Sequence, residues 1–193
     1  MSKKNNLLPD FLKPYQGILL FLFLLFLFHF SWKIAIDGDM DSEYIYFFGK
    51  DITPDWFYTV CRWLTVAAAW FTRLFPDTQN LIVENIHLYF PKGGITINIL
   101  WGCTGIKQMF IYTGIMLFYR GPFLKKLWYI PMGWIILSVY NVIRIAAIVL
   151  LTNGYPEKFD SLHNGILRYI YYGIVFLLWV IWEEFIVSKN KKS

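Results

Sequence analysis

The stretch LWYIPMGWIILSVYNVIRIAAIVLL, residues 127–151, decides the fold. It carries one charge, Arg144, in a run longer than the ~20 apolar residues that cross a bilayer as a helix. Four further apolar segments flank it: about Tyr15–Ile36, Trp56–Phe75, Cys103–Tyr119 and Asn164–Trp182. Inside a bilayer no water satisfies an open backbone, so such segments are helices. The composition agrees. Of 193 residues, 57% are hydrophobic and only 16% charged, which is more apolar surface than a soluble domain of this length can hide. The expectation is an all-α polytopic membrane protein with about five transmembrane helices, forming one integral membrane domain over residues 1–193.

Between the second and third segments the texture changes. Glu84–Phe90 and Ile95–Leu100 are rich in β-branched and aromatic residues, with Pro91, Lys92, Gly93 and Gly94 between them as a turn. Ile95, Ile97 and Ile99 alternate with Thr96 and Asn98, the period of a half-buried strand. This reads as a short β-hairpin on the extracytoplasmic membrane surface, feeding directly into Cys103.

The net charge of +5 sits in patches that flank the apolar runs. Lys3, Lys4 and Lys13 precede the first segment, Arg120, Lys125 and Lys126 lie between the third and fourth, and Lys189, Lys191 and Lys192 end the chain. Basic loops stay cytoplasmic. The third segment is therefore expected to run inward and the fourth outward, with the weakly charged loop Thr152–His163 outside. The N-terminal half fits less simply. Five crossings with a cytoplasmic tail put Lys3, Lys4 and Lys13 outside. Alternatively the second segment lies in the interface, with Arg62 and Arg73, eleven residues apart, on one face. Nucleic-acid binding is excluded, because no soluble face gathers the positive charge. With two cysteines and no CxxC, no disulfide framework is expected. No cleavable signal peptide is expected either.

This topology brings three polar residues to one side of the membrane. Cys103 opens the third segment and His163 precedes the fifth. Arg144 lies seven residues from the end of the fourth, ~10 Å deep at 1.5 Å per residue. A charge inside a membrane helix costs about 2.5–3.5 kcal/mol on insertion scales, so Arg144 calls for a reason. Asn141 and Tyr140 share its face. A helix start at Cys103, with Lys107 one turn later, would favour a thiolate. A cysteine, a base and a buried cation together suit nucleophilic acyl chemistry. His87 in the hairpin and His29 in the first segment are competing bases. The plainer readings are a snorkelling arginine, a small apolar cysteine and a snorkelling Lys107.

Cys-Thr-Gly at 103–105, Asn-x-x-Arg at 141–144 and a histidine opening the last membrane helix together resemble the exosortase/archaeosortase family, over roughly Glu84–Trp182. The chain is most similar to the short bacterial forms. The resemblance implies a membrane-embedded cysteine protease or transpeptidase of the cell inner membrane, with its site facing outside. Cys103 would be the nucleophile, Arg144 and His163 its partners, and Thr104, Gly105, Lys107 and Asn141 supporting or substrate-binding residues. The substrate would be an exported protein with a C-terminal sorting signal, in which a short motif precedes a membrane helix and a basic end. The acceptor stays open between an amine, a hydroxyl and water. No metal or cofactor is expected, since no ligand spacing or nucleotide motif is present. The rival reading is a non-enzymatic assembly or lipid-binding membrane protein, in which Arg144 and Lys107 hold an anionic headgroup.

Overall fold

The computed structural model describes residues 15–37, 44–76, 78–91, 96–153 and 155–188, without the side chains of Pro156, His163 and Asn164. Five α-helices dominate: α1 (Gln16–Ala35), α2 (Phe57–Thr72), α3 (Ile106–Phe118), α4 (Phe123–Thr152) and α5 (Leu167–Trp182). By length and composition three helical stretches among the described residues can cross a membrane: Gln16–Ala35, Phe123–Thr152 and Leu167–Val187. The helix α3 has 13 residues, and a short 3-10 turn, Trp101–Cys103, precedes it.

Aromatic side chains and small residues knit α1, α3, α4 and α5 together. Phe21 of α1 lies against Phe176 and Trp179 of α5, with ring centroids 5.5 and 4.6 Å apart. A Cβ at Gly114 would meet the Phe28 ring at 2.6 Å, so glycine sets the α1–α3 distance. Gly133 does the same for α4 against Tyr112, an instance of small residues letting membrane helices approach. Tyrosine hydroxyls buried between the helices donate to main-chain carbonyls: Tyr129 to Leu178 at 2.7 Å and Tyr171 to Leu137 at 3.0 Å. Both carbonyls already belong to helices, so the hydroxyls find acceptors without opening a turn.

Lys126 behaves differently from a membrane-flanking charge. It is buried at the start of α4, and its Nζ donates to the carbonyls of Leu117 at 2.9 Å and Tyr119 at 2.5 Å. The last carbonyls of a helix lack intrahelical partners, and Lys126 caps those of α3.

Among the described residues six two- or three-residue strands form two small sheets. The first, β1 (Ile36–Asp37), β2 (Tyr46–Phe47) and β3 (Lys50–Asp51), is antiparallel and follows α1 directly. The sequence reading did not anticipate it. The second comprises β4 (Ile82–Glu84), β5 (His87–Tyr89) and β6 (Ile97–Asn98), in that order. Here the expected strand Glu84–Phe90 is interrupted. Asn85 adopts φ +53° and turns the chain back after Glu84, so β4 pairs with β5. Asparagine tolerates that left-handed conformation better than most residues. The expected turn at 91–94 lies largely outside the described residues. The expected pairing across it does form, with His87 opposite Asn98 and Leu88 opposite Ile97.

The place of α2 bears on the two arrangements left open by sequence. Phe57 and Cys61 cluster with Ile86 and Trp101, while Ala68 and Ala69 cluster with Leu81, Cys103, Ile145 and Val149. Both ends of α2 therefore lie at the Cys103 end of the bundle, against β4, β5 and the last turns of α4. The other end holds the start of α1, where a Cβ at Gly17 would lie 2.9 Å from the Tyr119 hydroxyl. The helix α2 packs beside one end of the bundle, against the Trp101–Cys103 turn and the last turns of α4. Arg73, placed on one face with Arg62 in the interfacial alternative, donates to the Leu81 carbonyl at 2.9 Å and holds the chain as it leaves α2.

Candidate active site

The site is built around a corner. Leu100 leaves β6 extended, the Cys103 amide donates back to the Leu100 carbonyl at 2.9 Å, and the Thr104 hydroxyl donates to Trp101 at 2.6 Å. Gly105 then turns left-handed, φ +76°, to cap α3. A side chain is excluded there twice over. The conformation favours glycine, and a Cβ would sit 2.5 Å from the Tyr171 hydroxyl and 3.5 Å from Asn141 Cγ. Thr104 and Gly105 thus act by shaping the chain beneath the cysteine.

Because of this corner, Cys103 is not in the first turn of α3. Its sulfur donates toward the Asn98 carbonyl at 3.9 Å, back to strand β6. The one-turn relation between Cys103 and Lys107 fails for the same reason. Lys107 instead shares its field with Lys33 at the end of α1 and Arg168 at the start of α5. His87, the competing base in the hairpin, bonds the Asn98 side chain at 2.7 Å. His29 bonds the Tyr172 hydroxyl at 3.4 Å.

From α4, Asn141 and Arg144 meet the corner. Asn141 is fully buried, and its Nδ2 donates to the Cys103 carbonyl at 2.6 Å. The sequence reading placed Asn141 on the Arg144 face as a supporting or substrate-binding residue. Its observed bond runs to the Cys103 main chain, because the Trp101–Gly105 corner delivers that carbonyl onto the face α4 presents. Arg144, one turn on, is 6% exposed and lies within electrostatic range of Cys103, Tyr140, Tyr171 and Arg168. The Tyr140 and Tyr171 rings meet edge to face at 5.1 Å, and Tyr140 donates to the Leu167 carbonyl at 2.8 Å. Cys103 and Arg144, from α3's approach and α4, are therefore brought together. Tyr171 and Asn98 are neighbours that sequence reasoning missed. The signal for Asn98 was a polar position opposite a histidine in a strand leading to the cysteine.

His163 belongs to a wide helical turn, Ser161–Ile166, broken at Gly165 (φ −96°, ψ −120°) ahead of α5. Its side chain lies outside the described residues. Leu162 and Leu167, at either end of that turn, pack against the buried cluster that contains Cys103, Ile145, Ile148 and Val149. Among the described residues no three His, Cys, Asp or Glu side chains gather into a metal-binding set.

The model of the family described as transmembrane exosortase matches residues 44–183. The chain belongs to the transmembrane exosortase family. The match begins well before the corner, so α2 and the first strands of the hairpin lie within the region common to exosortases. No curated protein and no solved structure matches the chain. Membership points to membrane-embedded processing of protein sorting signals, an activity of the protease or transpeptidase kind. In this exosortase an apolar groove of about 880 Å³ adjoins the corner, bounded by α2, α3 and α4 and reaching Thr104 and Asn141.

Proposed function

We propose that the chain is a cysteine transpeptidase or protease of the inner membrane that cleaves C-terminal sorting signals at the outer face. The observation that carries this reading is the joining of Cys103 to α4. Asn141 holds the Cys103 main chain, and one turn along the same helix a buried Arg144 shares the field of the thiol.

In the proposed reaction His163 takes the Cys103 proton, and the thiolate adds to the carbonyl carbon of the scissile peptide bond. The oxyanion so formed is held by Arg144. Its collapse breaks the C–N bond, and the leaving amine takes the proton from His163. An acyl thioester remains on Cys103 and passes to an amine or hydroxyl acceptor, or to water. Burial favours this role for Arg144 over a headgroup anchor, since a snorkelling arginine keeps its guanidinium at the interface.

The test uses a co-expressed exported protein carrying a C-terminal sorting signal. Wild-type chain is expected to shorten it, and Cys103→Ala to leave it intact at equal membrane abundance. In wild-type chain a thioester adduct on the Cys103 peptide is expected by mass spectrometry, and in His163→Ala neither adduct nor shortened product is expected. Retained processing by Cys103→Ala would exclude the nucleophile.

A further inference from the structure

The helices α2 and α3 both pack on α4, yet the groove keeps them apart. Its walls are Trp63 and Ala67 of α2, Met109 and Thr113 of α3, and Trp134 of α4, and its upper end is Asn141. From Trp134 to Asn141 it follows α4 for about two turns. A helix ~10 Å across has a cross-section of roughly 80 Å² and rises 1.5 Å per residue, so each residue fills roughly 120 Å³. About 880 Å³ therefore holds roughly seven residues, again about two turns. Volume and length agree on one helix lying along α4.

The upper end has a second feature. Asn141 spends its Nδ2 on the Cys103 carbonyl, while its Oδ1 is buried without a hydrogen-bond partner among the described residues. An unpaired buried acceptor costs about 1–3 kcal/mol. A lipid acyl chain brings no donor to it. The first turn of a helix brings up to four N–H groups that have no partner of their own.

We propose that this groove is the docking site for the apolar membrane helix of the substrate, with Asn141 Oδ1 receiving a first-turn N–H of that helix. The proposal rests on the sorting-signal reading above. It assigns Asn141 two functions at once: one amide atom fixes Cys103, and the other locates the start of the substrate helix beside it. The residues leading into that helix then pass the cysteine.

Capture in vesicles tests this without any catalytic turnover. The full chain carrying Cys103→Ser and Cys61→Ala is reconstituted in phosphatidylcholine. The probe is a synthetic 20-residue leucine–alanine helix with C-terminal lysines and one cysteine at mid-length. A single cysteine is placed in the groove (Ser138→Cys) or on the opposite flank of α4 (Ile136→Cys), and disulfide formation with the probe is followed. Capture by Ser138→Cys is expected to exceed that by Ile136→Cys at least five-fold. Filling the groove with Thr113→Trp, or with Met109→Trp where the first variant fails to fold, is expected to erase the difference. A probe N-methylated through its first turn, lacking those N–H donors, is expected to be captured at least three-fold less. Equal capture at both positions, indifference to groove filling, or equal capture of the methylated probe would each overturn the proposal. So would preferential capture at Ser138→Cys of a phospholipid with a thiol-reactive acyl chain in place of the peptide. Cys103 is absent throughout, so failure here leaves the thioester test of the proposed function standing.

Discussion

At the scale of the residue, Arg144 constrains the chemistry most. It is buried at the end of a polar stripe in an otherwise apolar helix, beside Cys103 and the Tyr140–Tyr171 pair. A guanidinium offers a planar fork of donors that an ammonium lacks. If it holds the oxyanion, Arg144→Lys keeps the charge and loses the geometry. Loss of one such donor costs ~10²–10³ in rate. Processing of the co-expressed substrate is expected to fall by about that factor while membrane abundance stays near wild type. Full activity of the lysine variant would remove the oxyanion role. Gly105 gives a structural counterpart. Gly105→Ala must hold an L-residue at φ +76° and press a methyl onto the Tyr171 hydroxyl. The left-handed conformation alone costs about 1–2 kcal/mol. A lower unfolding midpoint in detergent is expected, with loss of processing. Gly173→Ala, with nothing within 4 Å of the new methyl, is expected to leave both unchanged.

At the scale of the element, Lys126 separates charge that orients from charge that builds. Its ammonium caps the two carbonyls that end α3, whereas its neighbour Lys125 is exposed. Lys126→Met leaves those carbonyls buried and unpaired, at a cost of roughly 1–3 kcal/mol. Unfolding in mixed detergent micelles is expected to show that loss for Lys126→Met and none for Lys125→Met. Sequence alone could not separate these lysines, since both read as loop charges ahead of an apolar run. The same limit governs the rest of the site. The hairpin was legible from two short β-rich runs, and Arg144 from a lone charge in a largely apolar run of 25 residues. The Gly105 corner was not legible. A left-handed glycine three residues into an apolar segment leaves the hydrophobic pattern unbroken, so Cys103 and Lys107 read as one helical face. The turn at Asn85 escaped for a similar reason, because Ile86 continues the β-rich run across it. Local conformation at single residues, rather than burial or charge, is what the pattern did not carry.

For the whole molecule, the position of α2 decides how charge and membrane agree. With five crossings, a cytoplasmic tail forces Lys3, Lys4 and Lys13 outside, against the rule that basic flanks stay inside. In the structure α1 starts beside Tyr119 and Glu183, at the end of the bundle where α3 meets α4 and α5 finishes. It ends near Trp101, where Trp32 and Trp101 rings lie 6.1 Å apart. The helix α2 begins and ends at that second level. The residue preceding α1, the Arg120–Lys126 loop and the end of α5 lie at one end of the bundle. The corner, both sheets and the Thr152–His163 loop fall at the other. At 30 residues α4 is ~45 Å long, enough to exceed the ~30 Å hydrocarbon layer and hold those two levels apart. With the Arg120–Lys126 loop expected in the cytoplasm, the start of α1 and the end of α5 are expected there too. Single cysteines in a Cys61→Ala, Cys103→Ser background make this testable in intact cells with a membrane-impermeant thiol reagent. Glu157→Cys and Lys50→Cys are expected to label at once. Leu124→Cys and Tyr15→Cys are expected to label only after permeabilisation. Tyr15 is the deciding position. Labelling of Tyr15→Cys from outside, with Leu124→Cys still protected, would mean that the chain crosses the membrane once more between α1 and α3, and α2 is the segment that could make that crossing.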